Sequence, residues 1–253
     1  MLDLGKTFDF SFFFGIIYVY PPVASVTGRK PTVERLWVLL WYYVYMKRVY
    51  VYIDSFNLYY GALKPNPSYK WLNVEKLILA LLPKTGYKIE KIKFCTARVS
   101  ASDFDLDKPV RQNIYFRALA TIQNLEFVWG KYKAKPIRIQ ITKDVKIQGK
   151  TFEEKGTDVN VAVHMVNDGY RDKYDVVVLV SNDSDIAEAL KIVRNELDKE
   201  IWLINPGLDS PTTKSLSQYS NEVRKLRFSN IKDSQFPGIL IDTTGTFHKP
   251  KTW

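Results

Sequence analysis

A chain of 253 residues, 46% hydrophobic and 25% charged, has the make-up of a soluble globular protein long enough to bury a substantial core. Its formal net charge of +10 suits a polyanionic partner, although solubility alone accounts for it equally well. The single cysteine, Cys95, excludes an internal disulfide and any multi-cysteine zinc site, and it fits a reducing cytoplasm.

Residues 1–45 read differently from the rest. They are crowded with aromatics and contain two apolar runs, FSFFFGIIYVY and LWVLLWYYVY, of 11 and 10 residues. A spanning helix needs about 20 residues, so neither run is expected to cross a membrane. Acidic residues before the first run, and the lack of a small-residue cleavage site, argue against a signal peptide. The following MKRVYVYIDSFNLYYG looks like the start of a domain. Met46 is therefore expected to be the native start, with 1–45 as translated upstream sequence. The alternative is an aromatic arm for a membrane surface or a partner; without a native arm, no membrane association is expected.

From Arg48 onward, short β-rich runs alternate with helical stretches. RVYVYI (48–53) reads as a strand and NVEKLILALLP (73–83) as a helix with Asn73 as N-cap and Pro83 as its stop. A strand lies within 88–99, a helix spans 108–123 with Pro109 near its first turn, and LEFVWG (125–130) is a third strand. The basic segment PIRIQITKDVKIQGK reads as a hairpin turning near Lys143–Asp144, an insertion at about 131–152 in a domain of 46–253. TDVNVAVHMVNDGYR (157–171) is helical, with Val159, Val163 and Val166 on one face. YDVVVLV (174–180) has the uniform apolarity of a central parallel strand covered on both sides. A helix, strand EIWLIN (200–205), a loop at 206–213, a short helix and an edge strand at 223–229 complete the pattern. The alternation predicts an α/β fold, an open and mostly parallel sheet with helices on both faces.

In such sheets, ligands bind beyond the carboxyl ends of the strands. Asp54 follows the first strand, with Asn57 three residues on; Asp183 and Asp185 follow the central strand; Asp158 opens the helix that leads into that strand. Four carboxylates from three segments thus converge on one edge, where a divalent cation would relieve their repulsion. Oxygen-only donors favour Mg²⁺ or Mn²⁺. Each acid also has a plain structural reading. Asp185 with Glu188 matches a capping box, Asp158 can cap its own helix, and Asp54 can cap a turn.

Three stretches, YVYIDSFNLYYG, EEKGTDVNVAVHMVNDGYRDKYDVVVLVSNDSDIAEAL and QFPGILIDTTGTFHKPKTW, together resemble the NYN domain in its LabA-like form, a branch of the PIN-like nuclease superfamily. The resemblance covers about residues 48–250. It implies a PIN-like, Rossmann-like fold and metal-dependent cleavage of RNA. The family's acidic positions match Asp54, Asp158, Asp183 and Asp185, and its asparagine matches Asn57. Asn182 stands where the family usually has glycine, a tolerable change because asparagine accepts a left-handed backbone better than most residues.

On this reading Asp54, Asp158, Asp183 and Asp185 hold Mg²⁺ or Mn²⁺. Asn57 orients Asp54, touches a phosphate or satisfies its own turn, and Ser181 and Ser184 orient the carboxylates. Lys131, Lys133, Arg138 and Lys155, with Lys135, Lys143, Lys146 and Lys150, form a substrate track on which Trp129 and Tyr132 stack bases. The plainer reading of that segment is a solvated hairpin. DFDLD (103–107) lacks a calcium loop's glycine and closing glutamate and reads as negative charge before a helix. His164 is expected to be packed or exposed rather than catalytic, and Cys95 to be buried. A domain that binds RNA or a protein without cutting remains the alternative. A receiver-like phosphohydrolase is disfavoured, because strand one ends in DSFN rather than a paired aspartate. A homo-oligomer is left open.

Overall fold

The computed structural model describes residues 46–102, 105–140 and 146–253. Six strands form one parallel sheet: β1 (Lys47–Asp54), β2 (Tyr87–Thr96), β3 (Leu125–Trp129), β6 (Val176–Val180), β7 (Glu200–Asn205) and β8 (Glu222–Lys225). Their order across the sheet is β3-β2-β1-β6-β7-β8, so the winding reverses between β1 and β6. An inserted antiparallel ribbon, β4 (Lys131–Gln140) and β5 (Lys146–Lys155), pairs outside this sheet. The expected turn at Lys143–Asp144 lies outside the described residues.

Pleating sends alternate side chains of the central strands to opposite faces. Val49, Val51 and Ile53 of β1 and Val176, Val178 and Val180 of β6 enter one core. That core is covered by α2 (Val74–Leu81), α3 (Lys108–Ala120) and α7 (Phe228–Asp233). Tyr52, Val177 and Leu179 enter the other, under α4 (Thr157–Tyr170), α5 (Ala187–Asn195) and α6 (Lys214–Ser217). A four-residue helix, α1 (Ser55–Leu58), and a wider turn at Tyr59–Leu63 leave the end of β1 directly.

Local chemistry sets several boundaries as expected. Asn73 caps α2 by accepting from Lys76 N at 3.0 Å, and the extended Leu82 before Pro83 ends it. Gly156, at φ 87°, makes the left-handed step from β5 into α4. The edge strand is shorter than its apolar run: β8 stops at Lys225, and Phe228 opens α7. The C-terminal segment adds a ribbon, β9 (Ile239–Asp242) and β10 (Gly245–His248). Asp242 accepts both ends of the Arg117 guanidinium at 2.9 Å, tying this ribbon to α3.

Of the valine face of α4 only Val166 packs against the core, and it is partly buried. Val159 and Val163 are 58% and 59% exposed, whereas Val161 and Met165 are buried. The inner face carries Asp168, a residue that hydropathy assigns outward. It is buried because Lys93 pairs with it at 2.5 Å and Tyr52 Oη donates to it at 2.7 Å. His164 Nδ1 lies 3.2 Å from the same lysine. Cys95 is buried as expected, and burial pushes its thiol up to about 12.

Removing one member of a buried pair strands the other. Lys93→Met is expected to cost about 3–5 kcal/mol in urea unfolding, and adding Asp168→Asn to it should return part of that loss.

Candidate acidic cleft

β1 and β6 run side by side with Ile53 opposite Val180, so Asp54 and Ser181 are the next residues out at the carboxyl edge. This is the point where strand order reverses, the position at which open α/β sheets take ligands. Asp54 is only 5% exposed. Its Oδ1 accepts from Phe56 N at 3.1 Å and Asn57 N at 3.0 Å, starting α1. The plain capping role therefore holds for one oxygen. The other, Oδ2, has Ser181 Oγ at 3.5 Å, the far limit of a hydrogen bond.

Ser181 Oγ also accepts from Asp183 N at 3.1 Å, and Asp183 Oδ1 accepts from Asp185 N at 3.1 Å. Asp183, not Asp185, thus caps the turn Ser184–Ile186 that precedes α5. No capping box forms between Asp185 and Glu188, because the helix proper starts only at Ala187 and Glu188 pairs with Lys191 at 3.0 Å. Asn57 Oδ1 accepts from Asn182 N at 3.0 Å, joining the two loops that carry Asp54 and Asp183. Asn182 does not need the left-handed backbone offered for it, since its φ is not positive. Its side chain instead holds the 206–213 loop, accepting from Thr213 N at 2.8 Å and donating to Pro211 O at 3.0 Å.

These loops open on a cleft of about 550 Å³ lined by Asp54, Asn57, Asp158, Asp183, Glu154 and Lys155 among others. Gly61 lines it too, with Pro206 backbone atoms 3.2 Å from where a Cβ would stand. Asp185 and Ser184 are exposed on the capped turn and are not among the lining residues. Glu154 was not singled out from sequence. At the end of β5 it accepts from Thr157 N at 2.8 Å and from Thr157 Oγ1, fixing the entry to α4 and hence Asp158. The signal that could have found it is the alternation of β5, which puts Glu154 opposite Tyr132 at the foot of the ribbon.

Burial raises Asp54 to about 6, and the charges of Asp183 and Glu154 add to it, while the Asn57 and Phe56 N–H groups pull the other way. Among the described residues none of Asp54, Asp158, Asp183 and Glu154 joins an ion pair. Nor, among them, are three His, Cys, Asp or Glu side chains gathered closely enough to hold a metal ion as they stand. The donors nevertheless fit a hard divalent cation in kind: all are oxygen, they face one cleft, and the buried one is destabilised by its acidic neighbours.

Of the expected substrate residues, Lys155 lines the cleft with its ammonium 2.6 Å from Glu153. Lys131 and Lys133 line an adjoining groove with Arg98, Trp129 and Tyr132. Arg138 lies on β4 with its side chain outside the described ones, as do those of Lys146 and Lys150 on β5; Lys143 is outside the described residues. The two aromatics have protein neighbours of their own. Trp129 has Phe127 near-parallel at 5.2 Å and Arg98 over its ring at 4.7 Å, and Tyr132 stacks on Phe56 at 6.2 Å.

A parallel α/β sheet with carboxylates facing a cleft at its switch point is the architecture of an acidic-site domain of the PIN-like kind. The NYN domain family model matches residues 48–227, and the chain belongs to that family. The chain is 28% identical over 236 residues to 6-hydroxy-3-succinoylpyridine 3-monooxygenase of Pseudomonas putida, covering 81% of this chain and 75% of that protein. It is also similar to a crystal structure of a protein of unknown function from Vibrio parahaemolyticus. That likeness has a TM-score of 0.49 at 16% identity, over 73% of this chain and 95% of the other. Among the described residues no helix is long and apolar enough to cross a membrane.

The raised Asp54 makes a signed prediction for the metal-free protein. Unfolded, this carboxyl titrates near 3.8; folded, at about 6. The folded state therefore favours the protonated form, and its contribution to stability is full below 3.8 and lost as pH rises through about 6. Asp54→Asn keeps the capping acceptor and removes the charge. At pH 8 it should be the more stable chain, by on the order of 2–3 kcal/mol in urea unfolding, with the gap closing toward pH 4.

Proposed function

We propose that the chain is a metal-dependent ribonuclease that hydrolyses phosphodiester bonds of RNA in the acidic cleft. The observation that carries the reading is Asp54: a buried carboxylate at the strand-order reversal, pushed up to about 6, facing Asp183 and Glu154 across the cleft with no cation to neutralise it among the described residues. Membership of the NYN family, whose resemblance implies RNA cleavage, supports it.

Asp54, Asp158 and Asp183 would hold Mg²⁺ or Mn²⁺, with Glu154 as a further donor. Such an ion supplies a nucleophilic water near neutral pH and charge for the phosphoryl oxygens. The chain's own residues do the positioning. The Asp54 cap and the Asn57–Asn182 hydrogen bond hold the two acid-bearing loops at a set separation. Ser181 stands between the two acids, its hydroxyl directed at the Asp54 carboxylate while accepting from the backbone N–H of Asp183. Lys155 at the cleft, and Lys131 and Lys133 in the groove beside it, bring phosphates to the site by charge. Such a reaction belongs in the cytoplasm, where RNA and the reduced Cys95 thiol both persist.

The test is incubation of the purified chain with mixed RNA and Mn²⁺, with and without chelator. Cleavage is expected only with the metal. Asp54→Asn and Asp183→Asn should each lower it by more than about 100-fold, beyond the ~10–100-fold cost of losing only a metal ligand's hydrogen-bond partner. Asp185→Asn, away from the cleft lining, should lose less. RNA bound but left intact under all conditions would leave only a binding module. Binding itself should weaken with salt, and Lys131→Ala and Lys133→Ala should each take roughly 0.7 off the log–log slope.

A further inference from the structure

The acidic cleft has a neighbour of opposite character. Sharing Phe56 and Tyr60 with it is a more enclosed pocket of about 140 Å³. This is well below the ~300–1,000 Å³ of drug-sized sites and suits one flat ring. Its walls are largely aromatic, and Lys70, Lys108 and Arg111 stand among them. Lys70 Nζ lies 5.6 Å from the centre of the Tyr59 ring, and Lys108 Nζ lies 5.8 Å from that of Tyr132.

Among the described residues three cations meet a single lining carboxylate side chain, Asp105, which pairs with Arg111 at 2.5 Å. Arg111 Nε is buried without a hydrogen-bond partner among the described residues. Burial, and then the charges of Arg111 and Lys108, hold Lys70 below its usual value. Positive charge is thus concentrated in a small aromatic chamber, at the positive end of the α3 dipole, and among the described side chains only Asp105 stands against it. A flat ring bearing an anionic group satisfies both demands.

The continuity of the surface decides which such molecule. The pocket meets the acidic cleft through Phe56 and Tyr60, and the lysine-bearing groove through Tyr132. Three compartments in sequence suit a polymer that alternates rings with phosphates better than a solitary aromatic acid. We infer that this pocket receives one nucleotide of the bound strand, its base against the Tyr59, Tyr60 and Phe56 rings and its phosphate on Lys108 and Arg111. The strand then leads from the pocket into the acidic cleft. The pocket's part in cleavage rests on the ribonuclease reading; its affinity for a nucleotide does not.

Calorimetric titration of the full chain in chelator, where no cleavage proceeds, tests the inference. The probes are AMP and UMP, their parent nucleosides, and nicotinate as an aromatic acid without a sugar. The monophosphates should bind at least tenfold more tightly than the nucleosides and than nicotinate. Arg111→Gln and Lys108→Gln should each weaken AMP about tenfold. Lys108→Gln breaks no ion pair seen here, so it carries the test should Arg111→Gln unfold by circular dichroism. Monophosphates no tighter than nucleosides, an unchanged AMP affinity in Lys108→Gln, or a preference for nicotinate would each overturn the assignment. Loss of metal-dependent cleavage with nucleotide binding intact would sink the ribonuclease reading and leave the pocket standing. Cleavage without nucleotide binding would do the reverse.

Discussion

The parallel pairing of β1 with β6 is the constraint from which the site follows. Main-chain hydrogen bonds put Ile53 opposite Val180, and the alternate side chains of both strands fill the two cores on either face of the sheet. The first polar residues past that register, Asp54 and Ser181, are therefore brought together by backbone geometry rather than by mutual attraction. Asp54 is held in a place its charge disfavours because one of its oxygens also starts α1. Folding energy from the two cores keeps a carboxylate where water would otherwise take it, a strain typical of sites built for chemistry.

What could be read in advance followed from periodicity and from strand ends. VVVLV announces a buried central strand, and an aspartate directly after such a run has nowhere to go but the carboxyl edge, so Asp54 and Asp183 were legible. Asp158 was legible as well, because a helix that runs into a parallel strand has its N-terminus at that strand's carboxyl edge. Less legible were features in which one interaction outvotes a pattern. The valines of α4 suggest a core face, yet a buried Lys93–Asp168 pair with Tyr52 turns the opposite side inward, and no hydropathy scale anticipates that. Asp185 repeats the two-residue spacing of its neighbour but is carried outward when Asp183 caps the turn. Glu154 looked like one of many charges in a basic ribbon. Only the strand register shows that it closes the acidic cleft. Asn182 acts through its side chain, which holds the 206–213 loop, a role that backbone preference does not suggest.

Charge is distributed with more economy than the net value of +10 implies. Acids gather at the switch point, cations gather in the aromatic pocket and groove, and Phe56 and Tyr60 form the partition between them. In water such separation is screened within about 10 Å at 0.1 M salt. Inside the more enclosed, ring-lined pocket the field of its cations is screened less.

The cross-strand partners Tyr132 and Glu154 give the inserted ribbon an unexpected office. One stacks on Phe56 and faces the cationic pocket, while the other braces Thr157 and faces the carboxylates. Because they are neighbours on a single rung, the ribbon cannot rock without altering both chambers together. The two compartments thus share one rung of the ribbon, so a displacement of that rung would be felt in both.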